Sequence, residues 1–302
     1  MAPVDRTYVL ITAAHNEAGY IRHTLASVAK QSLLPEKWII VSDRSSDGTD
    51  EIVREFAASH PFVELLRVEG GEGRSFGAKV RAISAGYERL GAGLSYRYLG
   101  ILDADVELGP DYYRKVFERL EQSPELGLAG GFVNDRTRRG EFQNRRSNSE
   151  SSVCGSIQVF RRECWERIGG LLPLKYGGED WAAEIMARMH GWNVQAFPDL
   201  KVYQHRPTGT AVSLMGYRFQ QGKMDSCVGS LPAFELIKCL KRLPERPLVI
   251  GALLRIAGYV LARAALLPRE LPPDAITYLR NEQSQRLRQT LGMGTSGAQT
   301  NL

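Results

Sequence analysis

The sequence predicts an α/β fold built on a parallel sheet, and three observations carry that expectation. Short continuous apolar runs alternate with helical stripes over about the first hundred residues. Polar, mostly acidic turns recur where those runs end. The chain has 302 residues, 43% of them hydrophobic and 24% charged, which supplies one large α/β core with room for a small appendage. Tyr8-Val-Leu-Ile11 and Trp38-Ile-Ile-Val41 read as strands buried on both faces. Between them Ile21, Leu25 and Val28 recur at helical spacing, and Ile52, Val53 and Phe56 mark a second helix, with Asp50 and Glu51 suited to its first turn. Val63 to Val68 is a weaker, edge-like strand. Phe76, Val80, Ile83, Tyr87 and Leu90 stripe a third helix, and Tyr98 to Leu102 is the next strand. The order implies parallel strands joined by right-handed crossovers.

Beyond Asp105 the pattern loosens. Tyr113, Val116, Phe117 and Leu120 mark a helix, Ser156 to Phe160 a strand, and Trp181, Ile185 and Met189 a further helix after Gly177-Gly178-Glu179-Asp180. Residues 134–149 hold five arginines and no apolar period, which reads as a mobile basic loop. The loop has three readings: a clamp on a pyrophosphate-linked or acidic acceptor, a contact with anionic lipid, or plain surface charge. The tail from Thr295 is small and polar, and is expected to be disordered.

Composition excludes some classes. The formal charge of +5, from 39 basic and 34 acidic residues, suits an anionic ligand or a membrane surface and is too small to argue nucleic-acid binding. Cys154, Cys164, Cys227 and Cys239 show no metal-binding spacing and read as reduced thiols, and the first residues lack a secretory pattern; a cytoplasmic location is expected. Pro247 to Leu267 is rich in apolar residues but carries Arg255 and Arg263. A central arginine costs about 2.5–3.5 kcal/mol on insertion scales, so a helix lying on a membrane or packed on the domain is expected in place of a span. The first of these would put a cytoplasmic protein at the inner face of the cell membrane, with peripheral contact; the second would not.

Ligands of a parallel α/β sheet bind beyond the carboxyl ends of its strands. The polar turns collect there: Thr12-Ala-Ala-His-Asn-Glu17, Ser42-Asp43-Arg44-Ser45-Ser46-Asp47-Gly48-Thr49 and Asp103-Ala104-Asp105. Alternate residues of extended backbone share a side, so Asp103 and Asp105 can converge. Two close carboxylates favour a cation between them, and hard oxygen ligands suit Mg²⁺ or Mn²⁺. Such an ion stabilises a departing diphosphate as a Lewis acid. Arg74, in Glu72-Gly73-Arg74-Ser75 at the start of the third helix, joins a cation to free backbone N–H groups, as anion binding requires. Lys79, one turn on, either adds to this site or is a solvated surface cation.

Taken together, Ala13-Ala-His-Asn-Glu17, the Ser42–Thr49 turn, Asp103-Ala-Asp105 and Gly178-Glu-Asp180 resemble the motifs of the family-two glycosyltransferases with the GT-A fold. The resemblance runs from about Tyr8 to Lys223, roughly two thirds of the chain. It implies an α/β fold of GT-A type, a mostly parallel central sheet flanked by helices, with residues 1–240 as the nucleotide-sugar-binding catalytic domain; residues 241–302, beyond the resemblance, are expected as a C-terminal helical extension that either associates with a membrane or packs on the domain. It implies an inverting, metal-dependent transfer of a sugar from a nucleotide-diphosphate sugar, UDP-sugar by default, to a glycan or lipid-linked acceptor. Ala13 to Glu17 and Asp43 would line the nucleotide pocket, with Asp43 facing the base, and Arg74 would meet the pyrophosphate. Asp103 would approach ribose or metal, and Asp105 would ligate the metal.

Asp180 resembles the family's general base, and Glu179 is the competing assignment or an acceptor ligand. A helix N-terminus keeps a carboxylate charged, which suits Asp180 to take a proton from the acceptor hydroxyl. His205, in Tyr203-Gln-His-Arg-Pro207, is either a third metal ligand or a structural histidine. Ala13, His15 and Arg44 depart from the usual proline, tyrosine and glycine or asparagine. The Gln-x-x-Arg-Trp motif of processive synthases is absent, with Arg218-Phe-Gln-Gln-Gly-Lys223 in that region, so a non-processive, hexosyltransferase-like transfer is expected. Two other readings compete. A sugar-1-phosphate nucleotidyltransferase would need a glycine-rich basic loop after the first strand, where this chain has Ala-Ala-His-Asn-Glu. A catalytically silent nucleotide-sugar-binding protein would have no need to keep Asp180 aligned with Asp103 and Asp105.

Overall fold

A computed structural model describes residues 5–69, 76–206, 213–244 and 247–290. The chain divides into two compact units, Met1–Thr210 and Ala211–Leu302. The division falls 30 residues ahead of the boundary expected at residue 240, because the helix that opens the second unit packs within that unit.

The first unit holds, in order, β1 (Tyr8–Ala14), α1 (Ile21–Ala29), β2 (Lys37–Asp43), α2 (Thr49–Ala57), β3 (Val63–Val68), α3 (Phe76–Leu90), β4 (Tyr98–Leu102) and β5 (Val106–Leu108). Then come α4 (Tyr112–Gln122), β6 (Leu126–Arg136), β7 (Phe142–Asn144), β8 (Ile157–Arg161), α5 (Arg162–Ile168), α6 (Glu179–Met189) and β9 (Asn193–Gln204). Eight strands run in the order β3-β2-β1-β4-β8-β6-β9-β5, with β7 pairing off β6. The β3-β2-β1-β4 half is parallel throughout, as the alternating runs predicted. The other half is mixed: β8 is antiparallel to β4 and β6, β9 is parallel to β6, and β5 is antiparallel to β9.

Strands buried on both faces explain why the apolar runs are continuous. Tyr8 and Leu10 face one core with Trp38 and Ile40, while Val9 and Ile11 face the other with Ile39 and Val41. The basic stretch at 134–149, expected as a mobile loop, is instead partly ordered as the β6–β7 hairpin, paired from Asn134↔Asn144 to Arg136↔Phe142. Arginines on the exposed side of a hairpin leave no apolar period to read.

The second unit comprises α7 (Leu214–Val228), α8 (Pro232–Lys241), α9 (Ile250–Ala264) and α10 (Pro273–Thr290). α7 and α9 cross closely: a Cβ at Gly222 would lie 1.9 Å from the Arg255 carbonyl oxygen, and one at Gly258 2.0 Å from that of Phe219. The two arginines that interrupt the apolar run separate here. Arg255 is buried and ion-paired to Asp225 and Glu235, while Arg263 is exposed beside Tyr259. No helix of the described residues is long and apolar enough to cross a membrane.

Candidate active site

The parallel register aligns the strand ends that carry the polar turns. Ala13 pairs with Val41 and Ala14 with Ser42, so Asp43 and Glu17 follow on one rim, and β4 delivers Asp103 beside them. There a cleft of about 240 Å³ is lined by Ala13, Glu17 and Asp43, by Lys79 from α3, and by Asp103, Asp105 and Arg206. Helix α3 can lie close enough to reach it because Gly86 faces β1 and β2, where a Cβ would meet Ile11 Cγ2 at 2.7 Å and Val41 Cγ2 at 2.9 Å. Lys79 lies two turns earlier on the same face, over the strand ends.

The turn after β1 is cross-braced to the turn after β2. The His15 Nδ1–H donates to the Asp43 carbonyl at 2.5 Å, Glu17 N donates to Thr49 Oγ1 at 2.8 Å, and Ala18 N to Asp47 Oδ2 at 3.0 Å. Asn16 and Arg44 both take left-handed backbone, φ +56° and +53°. That conformation is why Gly or Asn is usual at the second position. Arg44 turns back on its neighbour, its Nε 2.8 Å from Asp43 Oδ1.

Asp105 is 6% exposed, and its pKa is pushed up to about 6 by burial and then by the adjacent Asp103 carboxylate. The Gln204 amide donates to both Asp105 oxygens, at 3.3 and 3.2 Å. Glu17 is pushed further, to about 8, by burial; its ion pair with Arg206 acts in the opposite direction. Carboxylate oxygens crowded at one rim, with Asp103 and Asp105 repelling each other and Lys79, Arg206 and Gln204 only partly offsetting it at Asp105, fit a hard divalent cation.

Lys79 links this rim to the first turn of α6. Its Nζ lies 2.6 Å from Asp103 Oδ1 and donates to the Gly155 carbonyl at 3.0 Å. Burial alone would favour a neutral amine, but Asp103, Glu179 and Asp180 outweigh it and raise the pKa above the ordinary lysine value. The same Gly155 donates its N–H to Asp180 Oδ2 at 3.1 Å, and Asp180 Oδ1 accepts from Trp181 N at 2.8 Å. Gly177 and Gly178, with φ of +85° and +91°, turn the chain so that Glu179 and Asp180 fall in the first turn of α6. Burial, then Asp180, raises the pKa of Glu179.

The structure thus gathers Ala13, Glu17, Asp43, Lys79, Asp103 and Asp105 in one cleft, and connects Asp180 to it through Lys79 and Gly155. Arg74 lies outside the described residues. His205 meets Asp105 through its backbone N–H, 2.9 Å from the Asp105 carbonyl, while its imidazole Nε2 lies 2.9 Å from Glu107 Oε2 and its ring stacks on His23 at 4.0 Å. His23, Glu107 and His205 bring one ligand atom each within 4.8 Å of one another, with the two imidazole rings stacked 13° apart, and none of the three lines the cleft that holds Asp103 and Asp105. Sequence reasoning missed Arg206, Gln204 and Gly155. The first two flank His205 in a stretch already singled out, and Gly155 is the one glycine between β7 and β8.

A mixed sheet whose parallel half carries two carboxylates at the end of β4 and a rim of paired turns has the architecture of the GT-A class. The comparisons bear on the family and the fold. Residues 9–174 match the family Glycosyl transferase family 2, and the chain belongs to that family. Over 150 residues, half of this chain, it is 30% identical to the poly-beta-1,6-N-acetyl-D-glucosamine synthase of Staphylococcus epidermidis. The match spans 31% of that protein, about a third of the relative's length. The fold is similar to that of the mannosyltransferase PcManGT from Pyrobaculum calidifontis, solved with GDP-Man and Mn²⁺, at TM-score 0.56 and 18% identity, over 96% of this chain and 84% of that one. It is also similar to S. aureus TarS 1-349 solved with UDP-GlcNAc, at TM-score 0.52 and 14% identity, over 90% of this chain and 78% of that one.

Proposed function

We propose that this chain transfers one sugar from a nucleoside-diphosphate sugar to an acceptor hydroxyl, with inversion at the anomeric carbon, in polysaccharide or lipid-linked glycan assembly. The observation that carries the reading is the Asp103–Lys79–Gly155–Asp180 relay, which sets an acid poised at a helix N-terminus across from the carboxylate rim. Ala13, Glu17 and Asp43 form the wall for the nucleotide, and Lys79 with Arg206 supply cations for its diphosphate. Asp103 and Asp105 would hold Mg²⁺ or Mn²⁺. A divalent ion there would offset the charge of the leaving diphosphate as a Lewis acid. Asp180, fixed by two backbone N–H groups, accepts the proton of the attacking hydroxyl, and Glu179 beside it orients the acceptor. Attack from the face opposite the leaving group in a single displacement inverts the configuration.

A uridine carrier is the first choice of donor, with guanosine the second in a panel, since solved neighbours hold each. The second unit supports peripheral membrane contact. Leu240, Leu253, Val260 and Leu261 are each more than half exposed on α8 and α9, and Lys241 and Arg263 stand exposed near them. This suits a site at the inner face of the membrane.

The test is release of nucleoside diphosphate from a nucleotide-sugar panel with Mn²⁺, comparing wild type with Asp180→Asn. Turnover is expected to fall about a hundred- to ten-thousand-fold while donor affinity holds. Unchanged turnover removes Asp180 from the base role. Donor binding without any turnover in the wild type would favour a silent sugar-nucleotide binder, and product length separates single addition from polymerisation.

A further inference from the structure

The Gln204 amide donates to both oxygens of Asp105, at 3.3 and 3.2 Å. An amide can present either its oxygen or its NH₂ group to a neighbour, and the two ends are nearly alike in size. Turned the other way, the Gln204 oxygen would repel the Asp105 carboxylate. Which end faces Asp105 is decided from the far side of the amide. Arg145 Nη2 lies 2.7 Å from Gln204 Oε1, and a guanidinium can only donate. Gln204 therefore keeps its oxygen towards Arg145 and its N–H groups towards Asp105.

The sheet brings these residues together. Asp135 on β6 pairs in register with Gln204 on β9, so their side chains share a face. The return from β7 sets Arg145 on that face: its backbone N–H donates to the Val133 carbonyl at 3.0 Å, and its Nε to Asp135 Oδ2 at 2.9 Å. Nη2 also meets Asp135 Oδ1, and Nη1 lies 2.9 Å from Cys154 Sγ. All three guanidinium nitrogens are thus engaged. The bidentate pair with Asp135 accounts for closing the hairpin; the bond to Gln204 reaches beyond it, towards the carboxylate rim. The Arg145 side chain is 12% exposed and Gln204 is buried, which leaves water little access to replace the bond between them. A lysine would keep the charge, but as a point donor it lacks the planar fork that serves Asp135, Gln204 and Cys154 together.

We propose that Arg145 is a positioning residue for the divalent ion: it locks the Gln204 amide in the one orientation that donates to Asp105, and so holds that carboxylate in place as a ligand. The proposal rests on the reading of Asp105 as a metal ligand and adds Gln204 and Arg145 behind it.

The experiment titrates Mn²⁺ into the full chain with UDP present, and separately with GDP, and reads free Mn²⁺ by electron paramagnetic resonance. Arg145→Lys and Gln204→Leu are each expected to weaken Mn²⁺ binding by about 10–100-fold, the usual loss when the partner behind a metal ligand is removed. The double variant is expected to fall no more than about twofold below the weaker single one, because both substitutions break the same link. Arg145→Lys keeps a cation opposite Asp135, and Gln204→Leu keeps the whole Arg145–Asp135 pair, so both should fold, as melting curves would check. Additive losses in the double variant overturn the proposal, since Arg145 would then act by another route. So does Mn²⁺ affinity within about twofold of wild type in either single variant. Asp105→Asn separates this from the reading beneath it. If it takes up Mn²⁺ as wild type does, or if wild type takes up none with either nucleotide, the metal role of Asp105 falls and the proposal falls with it.

Discussion

Asp180 owes its position to a residue with no side chain. A Cβ at Gly155 would stand 2.9 Å from Asp180 Oδ2 and 3.0 Å from its Cβ, so Gly155→Ala must push the carboxylate off its N–H. We expect turnover to fall by roughly tenfold or more with nucleotide affinity unchanged, because a misplacement of about 1 Å can cost that much; equal steady-state rates would refute the contact's importance. Glu184, one turn beyond Asp180 and 2% exposed, accepts from Val153 N at 2.7 Å and Ser152 Oγ at 2.9 Å, and so pins the same strap. Burial pushes its pKa up to about 7, with Arg188 opposing. The fold therefore favours its protonated form. Its contribution is complete below the ordinary carboxyl value and is lost as pH rises towards 7, a change of about 3 kcal/mol at most. Melting curves should show wild type losing stability relative to Glu184→Gln between about pH 4.5 and 7. A pH-independent difference would contradict this. These two residues were not legible in the sequence, since a glycine before a strand and a glutamate in a helix carry no motif.

At the scale of elements, periodicity served well wherever both faces of a strand or one face of a helix met a core. Tyr8–Ile11, Trp38–Val41 and the α3 stripe were readable for that reason. It failed at the β6–β7 hairpin, whose exposed arginines pack on nothing. Arg255 shows another limit. In the apolar stretch from Pro247 to Leu267 it read as an obstacle to spanning a membrane, and in the structure it is an internal counter-ion: Asp225 lies within ion-pair distance, Glu235 at 2.9 Å, and Lys238 joins both acids at 2.8 and 2.6 Å. Burial alone would lower its pKa; Asp225 and Glu235 more than reverse that. Removing Arg255 from such a cluster leaves two buried acids facing each other, with Lys238 as the cation paired to both. Arg255→Met is expected to destabilise the second unit by about 3–5 kcal/mol, measured by urea unfolding; a loss below about 1 kcal/mol would mean that the acids are neutralised in another way.

For the whole molecule, the division of labour between the units makes a prediction of its own. Among the described residues, large exposed apolar side chains concentrate in the second unit, many of them on α8, α9 and the segment between them, while the cleft lined by Asp43 and Asp103 draws its lining from the first. The full chain should float with phosphatidylglycerol vesicles, and Leu240→Ser, Leu253→Ser and Leu261→Ser together should release it with donor turnover retained. Each of the three side chains is more than half exposed, so the substitutions spare the packing between helices. Flotation that is unchanged, or absent from the wild type, would remove the membrane from the picture.

The sequence by itself determined the parallel β3-β2-β1-β4 half, the family, and the acidic turns at the strand ends, because each is a local pattern: a run, a stripe, or a few residues at set spacing. Tertiary structure alone decided that Lys79 bridges Asp103 to Gly155, that Gln204 and Arg145 join Asp105 to the hairpin, and that Arg206 faces Glu17 across 189 positions of chain. Such partners meet because strands far apart in sequence are neighbours in the sheet. Linear spacing holds no record of which strand ends will share a rim.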